Sequence, residues 1–156
     1  MNTSIEKFHI AGISIKTSNE PGKGEKDIPQ LWVRFVKDNI SSLITNKINN
    51  DIYAVYTDYV GDHTQPYTII IGHRVSDLNN IPAGINRVTI ETGNYEKFTA
   101  TGKMEDNVVF LKWLEIWKQN LNRKYITDFE VYKEGCFQQA EASDNISVDI
   151  FIGINR

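Results

Sequence analysis

The sequence has a single cysteine among 156 residues, no excess of basic residues and no long apolar run. Cys136 cannot form a disulfide within the chain, which is typical of proteins from a reducing compartment. The 17 Lys and Arg residues are scattered and are outnumbered by 20 Asp and Glu residues, so the formal net charge is −3. Because a protein binds DNA phosphates through a basic surface, this composition argues against direct contact with nucleic acid.

The sequence also lacks the patterns of membrane proteins and of metal sites. No apolar stretch approaches the ~20 residues that a membrane-spanning helix needs, and residues 1–7 lack the apolar segment of a signal peptide. We therefore expect a cytoplasmic protein with no membrane partner. His9, His63 and His73 are isolated from one another and from acid pairs at ligand spacing. We expect no metal site and no cofactor.

Hydrophobic periodicity predicts a strand, a helix and two further strands in the first half of the chain. Apolar residues recur at steps of three and four from Ile28 to Ile44, which predicts one helix with Asp27 as its N-cap. Alternating apolar residues predict the first strand, with Gly12 as a candidate bulge. The predicted strands cover residues 8–16, 51–60 and 67–75, and we expect the last two to form a hairpin.

The second half of the chain repeats this order of elements. Gly93 and Asn94 are typical of the turn between two strands of a hairpin. A helix is predicted from Asp106, a candidate cap, to about Asn122, and a polar loop separates the last two strands. The predicted strands cover residues 87–92, 95–101, 125–133 and 147–154, with the polar loop at 134–145.

Three blocks of the first half align with blocks of the second half in the same order, so that Trp32 corresponds to Trp113 and Tyr56 to Tyr132. We infer a duplicated β-α-β-β unit within one domain, residues 1–156. The predicted fold class is α+β, with pseudo-twofold symmetry, a mainly antiparallel sheet, two main helices and a central ligand cleft. The aligned blocks are residues 31–40 with 112–121, 53–56 with 129–132, and 69–72 with 150–153, and the repeats cover residues 5–76 and 86–155.

Glu130 lies in an aromatic, strand-like run, and its counterpart in the first repeat is Ala54. Such a carboxylate either faces solvent or lies in a partly dry pocket, where it needs a donor or a cation because an unpaired buried charge is costly. The tryptophans at helical spacing either fill the core or line that pocket. A cavity with aromatic walls, one acid and a small residue opposite it suits a flat, apolar, cationic molecule.

With these residues in place, the chain resembles the GyrI-like family of small-molecule-binding proteins. The family shares its fold with the effector-binding domains of AraC-type and multidrug-responsive bacterial transcription activators. The resemblance covers nearly the whole chain and rests on residues 28–35, 53–59, 93–98, 113–117 and 128–132. It implies that Glu130 pairs with lipophilic cations in a ligand pocket. The aromatic walls that it implies are Trp32, Tyr56, Trp113 and Tyr132, together with Tyr95 and Phe98.

The resemblance implies a protein that senses or sequesters lipophilic, cationic compounds. Activators of this kind carry a helix-turn-helix region, whereas this chain begins almost directly with its first strand, so we expect a role in transcription to require a protein partner. One alternative is hydrolysis of reactive cyclopropane-type compounds, with Glu130 as the base and Tyr56 or Tyr132 orienting water or substrate. Another is inhibition of a larger enzyme through a protein surface. We expect a monomer or a weak dimer.

Overall fold

The structure is a computed structural model that describes residues 2–103, 106–136 and 145–155. Most of the polar loop predicted over residues 134–145 lies outside the described residues. The described part of the chain forms eight strands and three helices. In chain order they are β1 Asn2–Ile5, β2 Phe8–Thr17, α1 Gly24–Lys37, α2 Ile40–Leu43, β3 Ile52–Thr57, β4 Tyr67–Val75, β5 Asn86–Ile90, β6 Gly93–Lys103, α3 Val108–Lys118, β7 Arg123–Tyr132 and β8 Asn145–Ile154.

All eight strands form one antiparallel sheet in the order β1-β6-β8-β7-β3-β4-β2-β5. The strands β3 and β7 are adjacent at the centre, and their hairpin partners β4 and β8 lie outside them. Helix α1 packs against β2 and β4, and helix α3 packs against β6. The predicted α+β fold class, with two main helices on a mainly antiparallel sheet, is therefore confirmed.

The register at the centre of the sheet places Glu130 opposite Ala54. These residues are counterparts in the alignment of residues 53–56 with 129–132, so each lies opposite its own counterpart. A twofold axis through this pair therefore exchanges β3 and β7. The single-domain assignment and the bounds of the two repeats stay predictions. The neighbouring pairs are Tyr53 with Val131 and Val55 with Phe129.

The third aligned block is displaced by two residues in the structure. Gly72 lies opposite Tyr53 in the first half. In the second half Phe151, rather than Gly153, lies opposite Phe129. A register shift near the start of β7 accompanies this displacement. The alignment of residues 69–72 with 150–153, which rests on their shared Ile-Gly ending, therefore does not match the structural correspondence of β4 and β8.

The first helix differs from the prediction at both ends. It begins at Gly24, so Asp27 lies inside it, where its Oδ2 accepts a hydrogen bond from Thr17 Oγ1 at 2.8 Å. The predicted capping role of Asp27 is therefore wrong. The apolar pattern that predicts one long helix is divided because Asn39 adopts φ 50°, a left-handed conformation that interrupts the helix between α1 and α2.

The hairpin predicted at Gly93 and Asn94 is wrong. These residues begin β6, where they pair with Ile5 and Ser4 of β1. The preceding strand, β5, pairs instead with β2. Each half of the chain therefore contributes one edge strand to the other half, β1 to β6 and β5 to β2. The hairpin predicted for residues 51–60 and 67–75 is present as β3 and β4.

Two local predictions, a bulge at Gly12 and a helix cap at Asp106, are wrong. Gly12 forms no bulge, since β2 pairs with β4 without interruption and Gly12 lies opposite Gly72. Asp106 is not the N-cap of the second long helix, because Asn107, with φ 59°, occupies that position. The helix itself ends at Lys118, before the predicted end at Asn122.

Apolar side chains are buried on both faces of the sheet. Away from the helices, Phe129 at the centre contacts Phe8 of β2 and Tyr95 of β6, with ring centroids 5.5 and 5.4 Å apart. Because β2 and β6 lie near opposite edges, the sheet must curl around this face as a half-barrel. The helices cover the other face and leave a cleft above β3 and β7. None of the helices in the described residues is long and apolar enough to cross a membrane.

Candidate functional site

A cavity of about 710 Å³ lies between the two long helices and reaches the central strands of the sheet. Glu130 and Tyr132 extend from β7 into it, and their spacing of two residues places both on one face of the strand. Tyr56 of β3, Trp32 of α1 and Trp113 of α3 complete this end of the cavity. The structure therefore brings together five of the seven residues that the sequence predicts for the ligand pocket.

Glu130 is buried, with an exposed fraction of 2%, and three neutral groups donate hydrogen bonds to its carboxylate. Trp113 Nε1 and Tyr56 Oη donate to Oε2 at 2.6 and 3.0 Å. Tyr132 Oη donates to Oε1 at 2.7 Å. These bonds fix the carboxylate on the floor of the cavity and leave an acceptor position on Oε1 for a further donor or cation.

The carboxylate of Glu130 has no cationic partner in the described part of the chain, since no basic side chain there lies within ion-pair distance of it. Burial raises the pKa of Glu130 above its usual value, and the donors Tyr132, Trp113 and Tyr56 oppose that rise. Burial and the nearby carboxylate also raise the pKa of Tyr56 and of Tyr132 well above the usual value. Both phenols therefore stay protonated and act as donors to Glu130.

Two tryptophan–tyrosine pairs form walls on either side of Glu130. Trp32 of α1 contacts Tyr132 of β7 edge to face, with ring centroids 4.9 Å apart. Trp113 of α3 contacts Tyr56 of β3 in the same way, at 5.2 Å. Each tryptophan thus packs against the tyrosine of the other half, as the twofold axis through Ala54 and Glu130 requires. The site is built from both halves of the chain and exists only when they are paired.

Tyr95 and Phe98, the other two predicted residues, do not line this cavity. They are three positions apart in β6 and so point to opposite faces of the sheet. Tyr95 lies on the curled face, where it packs against Phe129. Phe98 lies on the helix face but packs with the core beneath α3, which includes Ile116 and Ile150. Their spacing therefore explains why the two rings cannot form one wall.

A second polar cluster, which the repeated sequence blocks do not predict, lies further along the cavity. Arg123 lines the cavity, and its Nη2 donates to Asp128 Oδ2 at 2.7 Å in a buried ion pair. Tyr59 Oη donates to the same oxygen at 2.5 Å, and the N–H of Gly153 donates to Oδ1 at 2.8 Å. Burial opposes the charge on Arg123, but Asp128 and Tyr59 raise its pKa above the usual value.

His63 and Trp117 form the wall next to this second cluster. Their rings are stacked, with centroids 5.2 Å apart and an interplanar angle of 15°. Burial and the neighbouring Arg123 lower the pKa of His63, so the ring is neutral at neutral pH. Tyr67 lies between the two ends of the cavity, 5.6 Å from the ring of Tyr56. The sequence does not predict that His63, Trp117 and Tyr67 lie together, because they belong to a turn, the end of a helix and the start of a strand that are far apart in the chain.

One sequence signal could have led to the second cluster. Asp128 is two residues from Glu130 and therefore shares its face of the strand. A second acid on a buried face needs a partner, and Arg123 is the nearest preceding cation other than Lys124. The register shift between Arg123 and Asp128, which lets Arg123 turn back toward Asp128, has no clear signal in the sequence. Among the described residues, no group of three or more His, Cys, Asp or Glu side chains could hold a metal ion.

Several solved structures have folds similar to that of this chain. An integron cassette protein from the mobile metagenome of Vibrio cholerae has 26% identity and a TM-score of 0.72, with 99% of this chain and 95% of that chain covered. The protein SAV2435, solved bound to tetraphenylphosphonium, has 17% identity and a TM-score of 0.77, with coverages of 99% and 93%. The C-terminal domain of EcmrR has 9% identity and a TM-score of 0.62, with coverages of 100% and 96%.

These three structures support the GyrI-like fold that the sequence predicts. No functionally curated protein matches the chain. The model of one protein family, integron-associated effector binding protein, matches residues 3–154. The chain therefore belongs to the family of integron-associated effector-binding proteins, which bind small molecules.

Proposed function

We propose that the protein senses or sequesters lipophilic cations in the cavity above Glu130. The observation that carries this proposal is the buried carboxylate of Glu130, which accepts three hydrogen bonds from neutral donors and has no basic partner in the described residues. Neutral donors reduce the cost of burying the charge but do not cancel the charge. A cation that enters the cavity would cancel it.

The walls and the size of the cavity also favour such a ligand. Aromatic faces attract a cation by about 0.5–2 kcal/mol each, and four rings surround Glu130. A volume of about 710 Å³ suits a drug-sized molecule. The exposed acids Glu20 and Glu25 line the same cavity, whereas its Arg123 is already paired with Asp128. The field inside the cavity is therefore negative and selects cations over anions.

The tetraphenylphosphonium bound by the structurally similar SAV2435 supports this ligand class. It is a lipophilic aryl cation with no hydrogen-bond donor. A ligand of this kind gains from aromatic contacts and from the charge of a carboxylate, which are the two features of the Glu130 end. The proposal for this chain rests on its own residues, since that similarity concerns the fold.

The test is a comparison of a cation with its neutral isostere. Biphenyl-4-yl-trimethylammonium and 4-tert-butylbiphenyl have the same shape and differ in charge. We expect the wild type to bind the cation at least about tenfold more tightly, as one desolvated charge contact and several aromatic faces would give. The Glu130→Gln substitution should remove most of that preference. Tryptophan fluorescence reports binding, because Trp32 and Trp113 line the cavity.

Glutamine is a fair replacement because the three hydrogen bonds can persist. Its amide oxygen can accept from Trp113 and Tyr56, while its amide N–H can donate to the hydroxyl of Tyr132. Glu91→Gln makes the same change on the exposed surface and should leave the preference unchanged. If Glu130→Gln weakens the cation and its neutral isostere equally, the charge of Glu130 does not select the ligand and the proposal is wrong.

Hydrolysis of a reactive small molecule is a second candidate function. Burial raises the pKa of Glu130, and a carboxylate with a raised pKa in a dry cavity is a better general base than an exposed one. Turnover of a strained electrophile that Glu130→Gln abolishes would support this function. Turnover that survives the substitution would exclude Glu130 as the base.

A further inference from the structure

The second polar cluster of the cavity contains donors that the fold leaves without partners. The side chain of Arg123 is 4% exposed, and its Nε is buried with no hydrogen-bond partner. His63 Nδ1 is also buried and has no partner. Both residues line the cavity, and the charge of Arg123 acts on the ring of His63. Leaving such buried polar atoms unsatisfied costs free energy, which a suitable ligand group would recover.

The geometry of Arg123 keeps its free N–H available. Its guanidinium lies over the ring of Tyr125, with its carbon 4.3 Å from the ring centroid, so one face of the group is covered. Because the donors of a guanidinium lie in its plane, they point sideways from this stack. One of them, on Nη2, donates to Asp128. The N–H on Nε remains for another acceptor.

We propose that Arg123 and His63 form a second subsite that binds a neutral hydrogen-bond acceptor, such as a carbonyl oxygen, at the opposite end of the ligand from its cationic group. This inference rests on the proposed function of the Glu130 end. The ligand class that it defines is an aromatic cation with a carbonyl or a similar acceptor on a rigid arm.

Charge balance decides between a neutral acceptor and an anion. The ion pair with Asp128 already neutralises Arg123, and two further hydrogen bonds hold that carboxylate in place. An anion would also meet the negative field of Glu130, Glu20 and Glu25 in the same cavity. A carbonyl oxygen accepts the free N–H without adding charge. Neutral His63 can offer a second donor through the tautomer protonated at Nδ1.

The spacing of the two ends sets the length of the ligand. Asp128 and Glu130 are two residues apart on one face of β7, so their Cα atoms are about 7 Å apart. Arg123 is hydrogen-bonded to Asp128 at one end. The ring of Tyr67 lies between those of Tyr56 and Tyr59, and its centroid is 5.8 Å from that of Tyr59. A single para-substituted phenyl ring between the cationic centre and the carbonyl matches this arrangement.

The test compares two phosphonium cations that differ only in one group, a carbonyl oxygen in one and a CH₂ in the other. In (4-acetylphenyl)triphenylphosphonium a carbonyl lies across one phenyl ring from phosphorus, and in the 4-isopropenyl analogue a CH₂ group replaces the oxygen. We expect the wild type to bind the ketone at least about tenfold more tightly than the alkene, as a hydrogen bond to a charged donor gives. The ratio of the two affinities within each variant is the measured quantity, so general changes in affinity cancel.

Two variants should lower this ratio, because each removes one of the two proposed donors. His63→Phe keeps a ring stacked on Trp117 and removes the nitrogen atoms. The double variant Arg123→Met with Asp128→Asn removes the guanidinium without leaving a buried unpaired carboxylate. His9→Phe, which makes the same change at a histidine that bonds to Thr89 outside the cavity, should keep the wild-type ratio.

The outcomes separate this inference from the proposed function. A wild type that binds both cations through Glu130 but with equal affinity would overturn the acceptor subsite and leave the cation site intact. A ketone preference that stays at the wild-type value in both cavity variants would also overturn it. If neither cation binds, the proposed function itself fails, and the subsite fails with it.

Discussion

At the scale of single residues, the site depends on an acid that is buried without a basic partner in the described residues. Three neutral donors hold Glu130, and burial still raises its pKa. By contrast, Asp128 on the same face of β7 is paired with Arg123. The same strand thus carries one acid that is paired with a cation and one acid that lines the cavity without a basic partner in the described residues.

This difference predicts that Glu130→Gln stabilises the empty protein. Because the pKa of Glu130 is raised in the folded state, the protonated form favours folding, and this contribution is present below the unfolded-state pKa and is lost as the pH rises through the folded-state pKa. A neutral glutamine escapes this loss. At pH 7 we expect a gain of about 0.5–2 kcal/mol in the free energy of unfolding.

Urea unfolding of the wild type and the variant checks this prediction. The two proteins should have nearly equal stability at a pH below the usual glutamate value, and the advantage of the variant should grow as the pH rises. Glu91→Gln on the surface should show no such growth. A variant that is less stable than the wild type at pH 7 would mean that the hydrogen bonds of the ionised form outweigh its burial.

At the scale of secondary structure, the sheet depends on a close approach of two strands. Gly12 of β2 and Gly72 of β4 lie opposite each other. A Cβ atom on Gly12 would overlap the carbonyl oxygen of Ile71, and one on Gly72 would overlap that of Ala11. The two glycines therefore allow a close approach of the two backbones that a side chain would prevent. Helix α1, which lines one wall of the cavity, packs against both β2 and β4.

We predict that Gly12→Ala destabilises the protein by about 3 kcal/mol or more, since the overlap involves backbone that cannot move without parting two strands. Gly93→Ala is the matched control, because a Cβ there would meet only the flexible end of Lys124 at 3.2 Å. It should cost much less. Thermal or urea unfolding of both variants measures these two changes in stability. Equal losses of stability would show that the contact between β2 and β4 relaxes readily.

At the scale of the whole molecule, the sequence could predict the helices and strands that show a hydrophobic periodicity. It could predict less of the pairing between strands that are far apart in the chain. The paired aromatic blocks led to Glu130, Trp32 and Trp113 because side chains that recur in order carry information about position. The exchange of edge strands between the halves was missed, since Gly93 and Asn94 look like a local turn. Arg123 was missed because an irregular register in β7 brings it to Asp128.

The dependence of the cavity on both halves leads to a last prediction, that a lipophilic cation stabilises the whole fold. A ligand that binds only the folded state adds about 2.7 kcal/mol at a concentration one hundred times its dissociation constant. For a chain of this length, we expect tetraphenylphosphonium at that concentration to raise the melting temperature by about 5–10 °C. The walls that it would bridge come from α1, α3, β3 and β7, so its binding energy opposes separation of the halves.

The same shift should depend on pH, because a proton and the cation compete for the carboxylate of Glu130. Binding of the cation favours the ionised form, whereas burial favours the protonated form in the empty cavity. The thermal shift should therefore shrink as the pH falls through the pKa of Glu130 in the empty protein. In Glu130→Gln it should be small at every pH. A shift of equal size in that variant, or one that grows on acidification, would contradict a cation site at Glu130.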